Sequence, residues 1–525
     1  IRRSQSLAEK REQEARGNLT LALASVDNSL VRVSGDARLR AHNLEPLRRQ
    51  LLETAVGFYE RFTREKPEDP ELRYQWAEAS FRLANILADI DSKAHAMETL
   101  GRAIEVLESL VQEHPDDAQY KSLLAKCRVN LGIYSAESGR MDEARLAYKA
   151  AMAISDGLLA IDPHSEDYRV DRANLHNNMG NVELATGRFD RAEAEFARAV
   201  AIRRALADAA PEDTNFQAAL ASNETNLGAV LQRQGRLAEA ARSMEAARAI
   251  QARLVQGHGD QPDFRRELAA TCTNLATVLD RLPGREADAE AALNEAVGAR
   301  RRLVQEHPDV VQYQFGLGRD LLNLVALYAG RGRLPEAEST AKEAVSVHRR
   351  LATEHGDVPD YKNGLAAALN GLANVYSGVH RPKEAEGAYR EAIAIRRELV
   401  QKHADLPDYQ FNLAIACENL AGSLVVAGRL PEAQTVYGEA IANLEALAKK
   451  HPRTAAYSTE LGAACTRLSC LLTGRPEAAL ANARKAIAAF GNDLEQVQRD
   501  ATLKSRLLMA HWTAAESLAQ LGKHE

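Results

Sequence analysis

The run GRLAEAARSMEAARAIQARL, residues 235–254, decides the fold together with the stretch 216–234 that leads into it. Within the run, Leu237, Ala240, Met244, Ala247, Ile250 and Leu254 recur at steps of three and four, the spacing that puts side chains on one face of a helix. Leu220, Leu227, Val230 and Leu231 share a face in the preceding stretch. Gly235 between them suits the left-handed position that ends a helix, and Gly139, Gly187, Gly332 and Gly428 recur at the same offset. Pro335 and Pro431 fall in the first turn of their second helices, where a missing N–H costs nothing. The spacing predicts two antiparallel amphipathic helices joined by a tight turn.

Outward from this pair, the residue opening each leading helix is Leu72, Tyr120, Tyr168, Phe216, Phe264, Tyr313, Tyr361, Tyr409 and Tyr457, spaced 48 residues apart except for one interval of 49. So regular a period belongs to an array of stacked helix pairs. The expected fold is an all-α α-solenoid, a right-handed superhelix of antiparallel helix pairs. Nine pairs are expected over 67–492 (67–114, 115–162, 163–210, 211–258, 259–307, 308–355, 356–403, 404–451 and a shortened 452–492), with a capping helix in 493–525. The turn RLPGREADAEAA, 281–292, holds the extra residue of the longer interval, so a looser connection is expected near Pro283 and Gly284. Residues 1–66 read as helical but off-period. SLAEKREQEAR (6–16) is polar all round, Leu19, Leu23, Val26, Leu30 and Val33 form a stripe, and a second helix is expected from Glu45 with Pro46 in its first turn.

Leu227-Gly228, Gly235, Ala240, Met244 and Ala247 fall at the spacing of the tetratricopeptide repeat, which this chain resembles. Ala144-x3-Tyr148, Ala192-x3-Phe196, Ala385-x3-Tyr389 and Ala433-x3-Tyr437 are similar to its A-x3-F element, and Leu372-Ala373-x-x-Tyr376 to its L-G-x-x-Y element. The usual repeat is about 34 residues long. About seven extra residues, close to two helical turns, extend each helix here without rotating its apolar face off the seam. The segments PLRRQLLETAVGFYERF (46–62) and EDPELRYQWAEASFRLANI (68–86) resemble the region after the membrane span in planctomycete-type serine/threonine kinases. That resemblance implies a kinase domain and a span before Ile1, with the repeats as a sensor or docking region tethered to a membrane. It leaves open the side of the membrane, and a cytoplasmic location for a chain that stands alone.

A net charge of −6 gives no electrostatic case for nucleic acid, and there is no apolar run of about 18 residues to cross a membrane. Kinase H-R-D and D-F-G, H-E-x-x-H, G-x-S-x-G and P-loop signatures are absent from the sequence. Neither enzymatic activity nor any cofactor is called for, and a protein or peptide partner is expected.

The candidate binding residues are a ladder of asparagines, Asn130, Asn178, Asn226, Asn274, Asn323 and Asn419, each ten residues after the opening aromatic, with Asn181 and Asn374 three positions further on. A carboxamide both donates and accepts, so it pairs with peptide main chain of any sequence. The run AYREAIAIRREL (388–399) is similar to the kinesin light chains, a resemblance that implies asparagines gripping an extended peptide from the concave groove. The alternative is that the carboxamides bridge neighbouring leading helices, in an array serving as a spacer or self-association module. Arg82, Gly371 and Arg467 break the ladder. His114, His258, His307, His355, His403 and His451 recur at the ends of second helices, where they read as caps rather than as zinc ligands, because stacked repeats lie about 10 Å apart. The arginines at 203–204, 300–302, 349–350 and 396–397 read as a solvated face paired with glutamates, and the five cysteines as buried free thiols.

Overall fold

The structure, a computed structural model, describes residues 25, 45–63, 69–452, 454–472, 474–491, 497 and 500–523. The stripe expected at Leu19, Leu23, Val26, Leu30 and Val33 and the polar helix 6–16 lie outside them. The described residues form twenty helices and no strand, an all-α solenoid of consecutive helix pairs. The chain divides into two compact units, Ile1–Ala299 and Arg300–Glu525.

The first unit holds α1 (Glu45–Phe62) and the pairs α2 and α3 (Pro70–Ile90, Lys93–Glu113), α4 and α5 (Ala118–Glu137, Met141–Ile161), α6 and α7 (Glu166–Ala185, Phe189–Ala209), α8 and α9 (Thr214–Arg233, Leu237–Gly257), and α10 with the first part of α11 (Pro262–Leu279, Glu286–Glu306). The second holds the rest of α11, then α12 and α13 (Val311–Gly330, Leu334–Glu354), α14 and α15 (Pro359–Gly378, Pro382–Lys402), α16 and α17 (Pro407–Val426, Leu430–Lys450), α18 and α19 (Ala455–Leu471, Pro476–Gly491), and α20 (Ala501–Gln520). Most helices run 20 or 21 residues, about 30 Å each.

The turns that carry the recurring glycine close as their sequence dictates. Gly235 adopts φ +79°, and the Arg236 N–H reaches back to Leu231 O at 3.0 Å, the six-to-one bond of a Schellman cap. His380 has φ +56° at the position where its neighbours carry Gly332 and Gly428. In the expected looser turn α10 stops at Leu279, two residues short of the usual leading helix, and the connection to α11 runs through 280–285.

Small residues let the two helices of a pair approach. A Cβ at Gly180 of α6 would stand 2.7 Å from the Phe196 ring of α7, and one at Gly132 of α4 would stand 2.4 Å from the Tyr148 ring of α5. The A-x3-F aromatic is therefore seated against a bare backbone, and burying such a ring stabilises the pair by about 2–3 kcal/mol. Adjacent leading helices also touch one another, α2 with α4 and α4 with α6 in the first unit, α12 with α14 and α14 with α16 in the second.

The recurrent histidines do stand at helix ends, but it is their backbone N–H that closes the helix, as from His403 to Leu399 O at 2.9 Å. Each imidazole stands edge-on to the aromatic six residues later: His114 to Tyr120, His258 to Phe264, His307 to Tyr313, His355 to Tyr361, His403 to Tyr409 and His451 to Tyr457, with centroids 5.8 to 6.3 Å apart. The residue that marks the period is thus fastened to the end of the preceding trailing helix. No group of three His, Cys, Asp or Glu among the described residues has the arrangement of a metal site.

Candidate functional site

Three ladder asparagines bridge leading helices. Asn130 Nδ2 donates to Asn85 Oδ1 at 2.6 Å, Asn226 to Asn177 at 2.9 Å, and Asn419 to Asn370 at 3.2 Å. Asn274 and Asn323 are exposed and Asn178 is half-buried. Asn181 is exposed, and Asn374, also exposed, accepts from the Tyr389 hydroxyl at 2.6 Å. Among the described residues no hydrogen bond joins one of the eight to another.

The acceptors Asn85, Asn177 and Asn370 were not singled out by the sequence pattern. The signal was there. Asn177 and Asn370 lie one residue before the ladder position, and Asn85 lies three residues after the one held by Arg82. Positions minus one and plus three are four apart, so they share the helix stripe that faces the next leading helix. Arg467 does not break the ladder: it reaches Glu418, 49 residues back, the same interval that joins Asn226 to Asn177 and Asn419 to Asn370. An ion pair replaces a carboxamide pair in one recurring bridge. At Arg82 the guanidinium instead pairs along its own helix with Glu78 at 2.9 Å.

In the second unit this surface opens into a cavity of about 460 Å³, lined by Asn419 and Glu418 from α16, Arg467 from α18, and the rings of Tyr389 and Tyr437 from α15 and α17. Burial raises both phenol pKa values. Glu418 is 5% exposed, with Oε2 on Arg467 and Oε1 without a hydrogen-bond partner. A second cavity of about 400 Å³ adjoins it, sharing Gly422, Tyr437 and Arg467 and extending to Arg506 and Met509 of α20. Together they form an apolar groove with a few converging polar groups, the usual make-up of a binding site. In the first unit a smaller cavity of about 190 Å³ is lined by Asn130, Asp171 and Ser155, whose hydroxyl is buried and unpartnered.

The arginine doublets do not form a uniformly solvated face. Arg203, Arg300 and Arg396 are 6%, 5% and 5% exposed. Each falls four residues after a buried alanine and three before a buried leucine, on the apolar stripe of its helix. Arg300 pairs with the wholly buried Asp320 at 2.9 Å, Arg203 donates to Asn174 at 2.6 Å, and Arg396 donates to the Asn412 carbonyl at 2.6 Å. Burial holds the Arg396 guanidinium down at about 10. In the doublets 300–301 and 396–397 the following arginine points outward, Arg301 to Glu343 and Arg397 to Glu439, 42 residues on, and Arg349 reaches Glu391 at the same interval. The stripe position in α13 is His348, 1% exposed, wedged between Gly318 and Gly364 and edge-on to Phe315 at 5.6 Å. Four cysteines are buried as expected, but Cys470 is exposed and lines the 400 Å³ cavity.

Tetratricopeptide-repeat family models match residues 173–211, 225–263 and 319–398, so the chain carries these repeats. A model for anaphase-promoting complex subunit 5 matches 57–129. No curated protein matches the sequence. Among solved structures, BtubC from P. vanneervenii is similar over 49% of this chain and 92% of its own, at 19% identity and a TM-score of 0.39. A putative kinesin light chain with nearly identical repeats, from Podosopora anserina, is similar over 45% and 98%, at 22% identity and 0.33. A Rap protein complexed with competence and sporulation factor is similar over 85% and 99%, at 13% identity and 0.39. No helix of the described residues is long and apolar enough to cross a membrane.

Proposed function

We propose that this repeat-bearing chain is a non-catalytic interaction scaffold whose second unit binds an extended peptide or partner helix of another protein along α14, α16 and α18. The observation that carries the reading is the 460 Å³ cavity, because it opens at the ladder positions of Asn419 and Arg467 and is walled by two tyrosines. Tyrosine and arginine are the residues that dominate binding energy where partners meet. Attachment to a membrane-anchored serine/threonine kinase is part of the proposal and rests on the resemblance of the first hundred residues alone.

Peptides selected by display against the full chain, then titrated calorimetrically, test it. Tyr437→Phe, which keeps the buried ring and removes the hydroxyl of a cavity-lining residue, is expected to weaken binding about fivefold, and selection of no peptide sensitive to that change would remove the reading. A second reading, the spacer, is favoured by the bonds of Asn130, Asn226 and Asn419 to neighbouring leading helices. It expects Asn226→Ala to lower the melting temperature and to leave peptide affinity untouched.

A further inference from the structure

Helix α20 turns Leu503, Ala510, Thr513, Ala514 and Ser517 inward. Leu508, Met509 and Trp512 on the same helix are 63%, 49% and 71% exposed, and their spacing gathers them into one apolar strip. Met509 also lines the 400 Å³ cavity, which runs on through Tyr437 and Arg467 into the larger one. Strip and groove are therefore continuous.

The charge on this surface is unbalanced. The lining of the 400 Å³ cavity carries two guanidinium groups, Arg467 and Arg506, and no carboxylate. Glu418 reaches Arg467 from the adjoining cavity, and Arg506 makes no ion pair among the described residues. Burial first, and then the charge of Arg506, pulls the Arg467 pKa down. Among the described residues, two cations served by one anion leave a single positive charge in a half-dry groove, where a third cation is repelled and a carboxylate is drawn in.

We infer that the partner is an acidic amphipathic helix, its apolar face covering Leu508, Met509 and Trp512 and one of its carboxylates bridging Arg467 and Arg506. This rests on the groove-binding reading above and names the chemistry of its ligand. The strip supplies area and the arginines supply register.

The molecule carries two reporters of its own. Trp512 is exposed while Trp76 is 2% exposed, and Cys470 is the exposed cysteine among five. Three synthetic helical peptides with one apolar pattern, lacking Trp and Cys and bearing Glu, Gln or Lys at the polar positions, are titrated into the full chain. The Glu peptide is expected to shift Trp512 emission to the blue, slow alkylation of Cys470, and bind about tenfold more tightly than the Gln peptide, with the Lys peptide weakest. Arg506→Gln, on the surface of α20, is expected to bring the Glu-to-Gln ratio to about one with helix content unchanged, and Arg506→Lys to keep most of it. Equal binding of all three peptides, weakened alike by Tyr437→Phe, overturns the acidic partner and leaves the groove reading standing. If no peptide moves either reporter, both fall. A Glu-to-Gln ratio that survives Arg506→Gln also overturns the inference.

Discussion

His348 makes the stability of the second unit depend on pH in a calculable way. Its ring is shut between Gly318 and Gly364 with neither nitrogen hydrogen-bonded to a side chain, and burial pushes its pKa from 6.5 down to about 4. Between those values the unfolded chain holds one more proton than the folded one, so stability rises with pH across the window and is fully present above 6.5. Acidification from near pH 7 to pH 4 spans about 2.5 units at about 1.4 kcal/mol each, less the part already protonated when folded, a loss of about 3 kcal/mol. Other groups titrate over the same range, so the assay is a difference. Urea unfolding by circular dichroism is followed for wild type and His348→Leu at both pH values. Leucine suits the site because Leu107 and Leu444 hold the equivalent position, both 0% exposed. The variant is expected to lose about 3 kcal/mol less than wild type on acidification. Equal losses would refute a buried neutral imidazole.

Asp320→Ala leaves Arg300 buried without its carboxylate and is expected to cost about 3–5 kcal/mol, whereas Arg397→Gln, which breaks an exposed pair, is expected to cost under about 1 kcal/mol; thermal melts separate the two. His380→Gly removes a side chain from a left-handed residue and is expected to raise stability by about 1 kcal/mol, read from the urea midpoint. Gly180→Ala drives a methyl into the Phe196 ring and is expected to cost about 1–3 kcal/mol. Gly101→Ala, in the middle of α3 with nothing within 4 Å of the new methyl, is expected to add about 0.5–1 kcal/mol.

The helix pairs and their turns were legible because both signals are local. Steps of three and four fix the faces, and Gly235 must be glycine where φ is +79°. The inward arginines were legible in retrospect: Arg396 continues the stripe of Ala385, Tyr389, Ala392 and Leu399, but a charge on an apolar stripe reads as solvent until its buried partner is known. The partners were not legible. Which carboxamide meets Asn226 depends on how one leading helix slides along the next, a relation between elements that the 48-residue period leaves free. The cavity at Tyr437 and Arg467 follows from the same sliding, so neither its volume nor the unpartnered oxygen of Glu418 had a signal in the chain.

One consequence concerns the two sides of the second unit. Leading helices there are joined by direct packing, by the carboxamide bridge of Asn419 to Asn370 and by the ion pair of Arg467 with the buried Glu418. Trailing helices are joined by guanidinium–carboxylate pairs at 301 and 343, 349 and 391, and 397 and 439, with side chains 31% to 51% exposed. Salt screens the exposed pairs of the trailing side more than the carboxamide and buried contacts of the leading side. Rising ionic strength therefore loosens the trailing-helix side of the second unit before the leading-helix side that carries the tyrosine-walled groove.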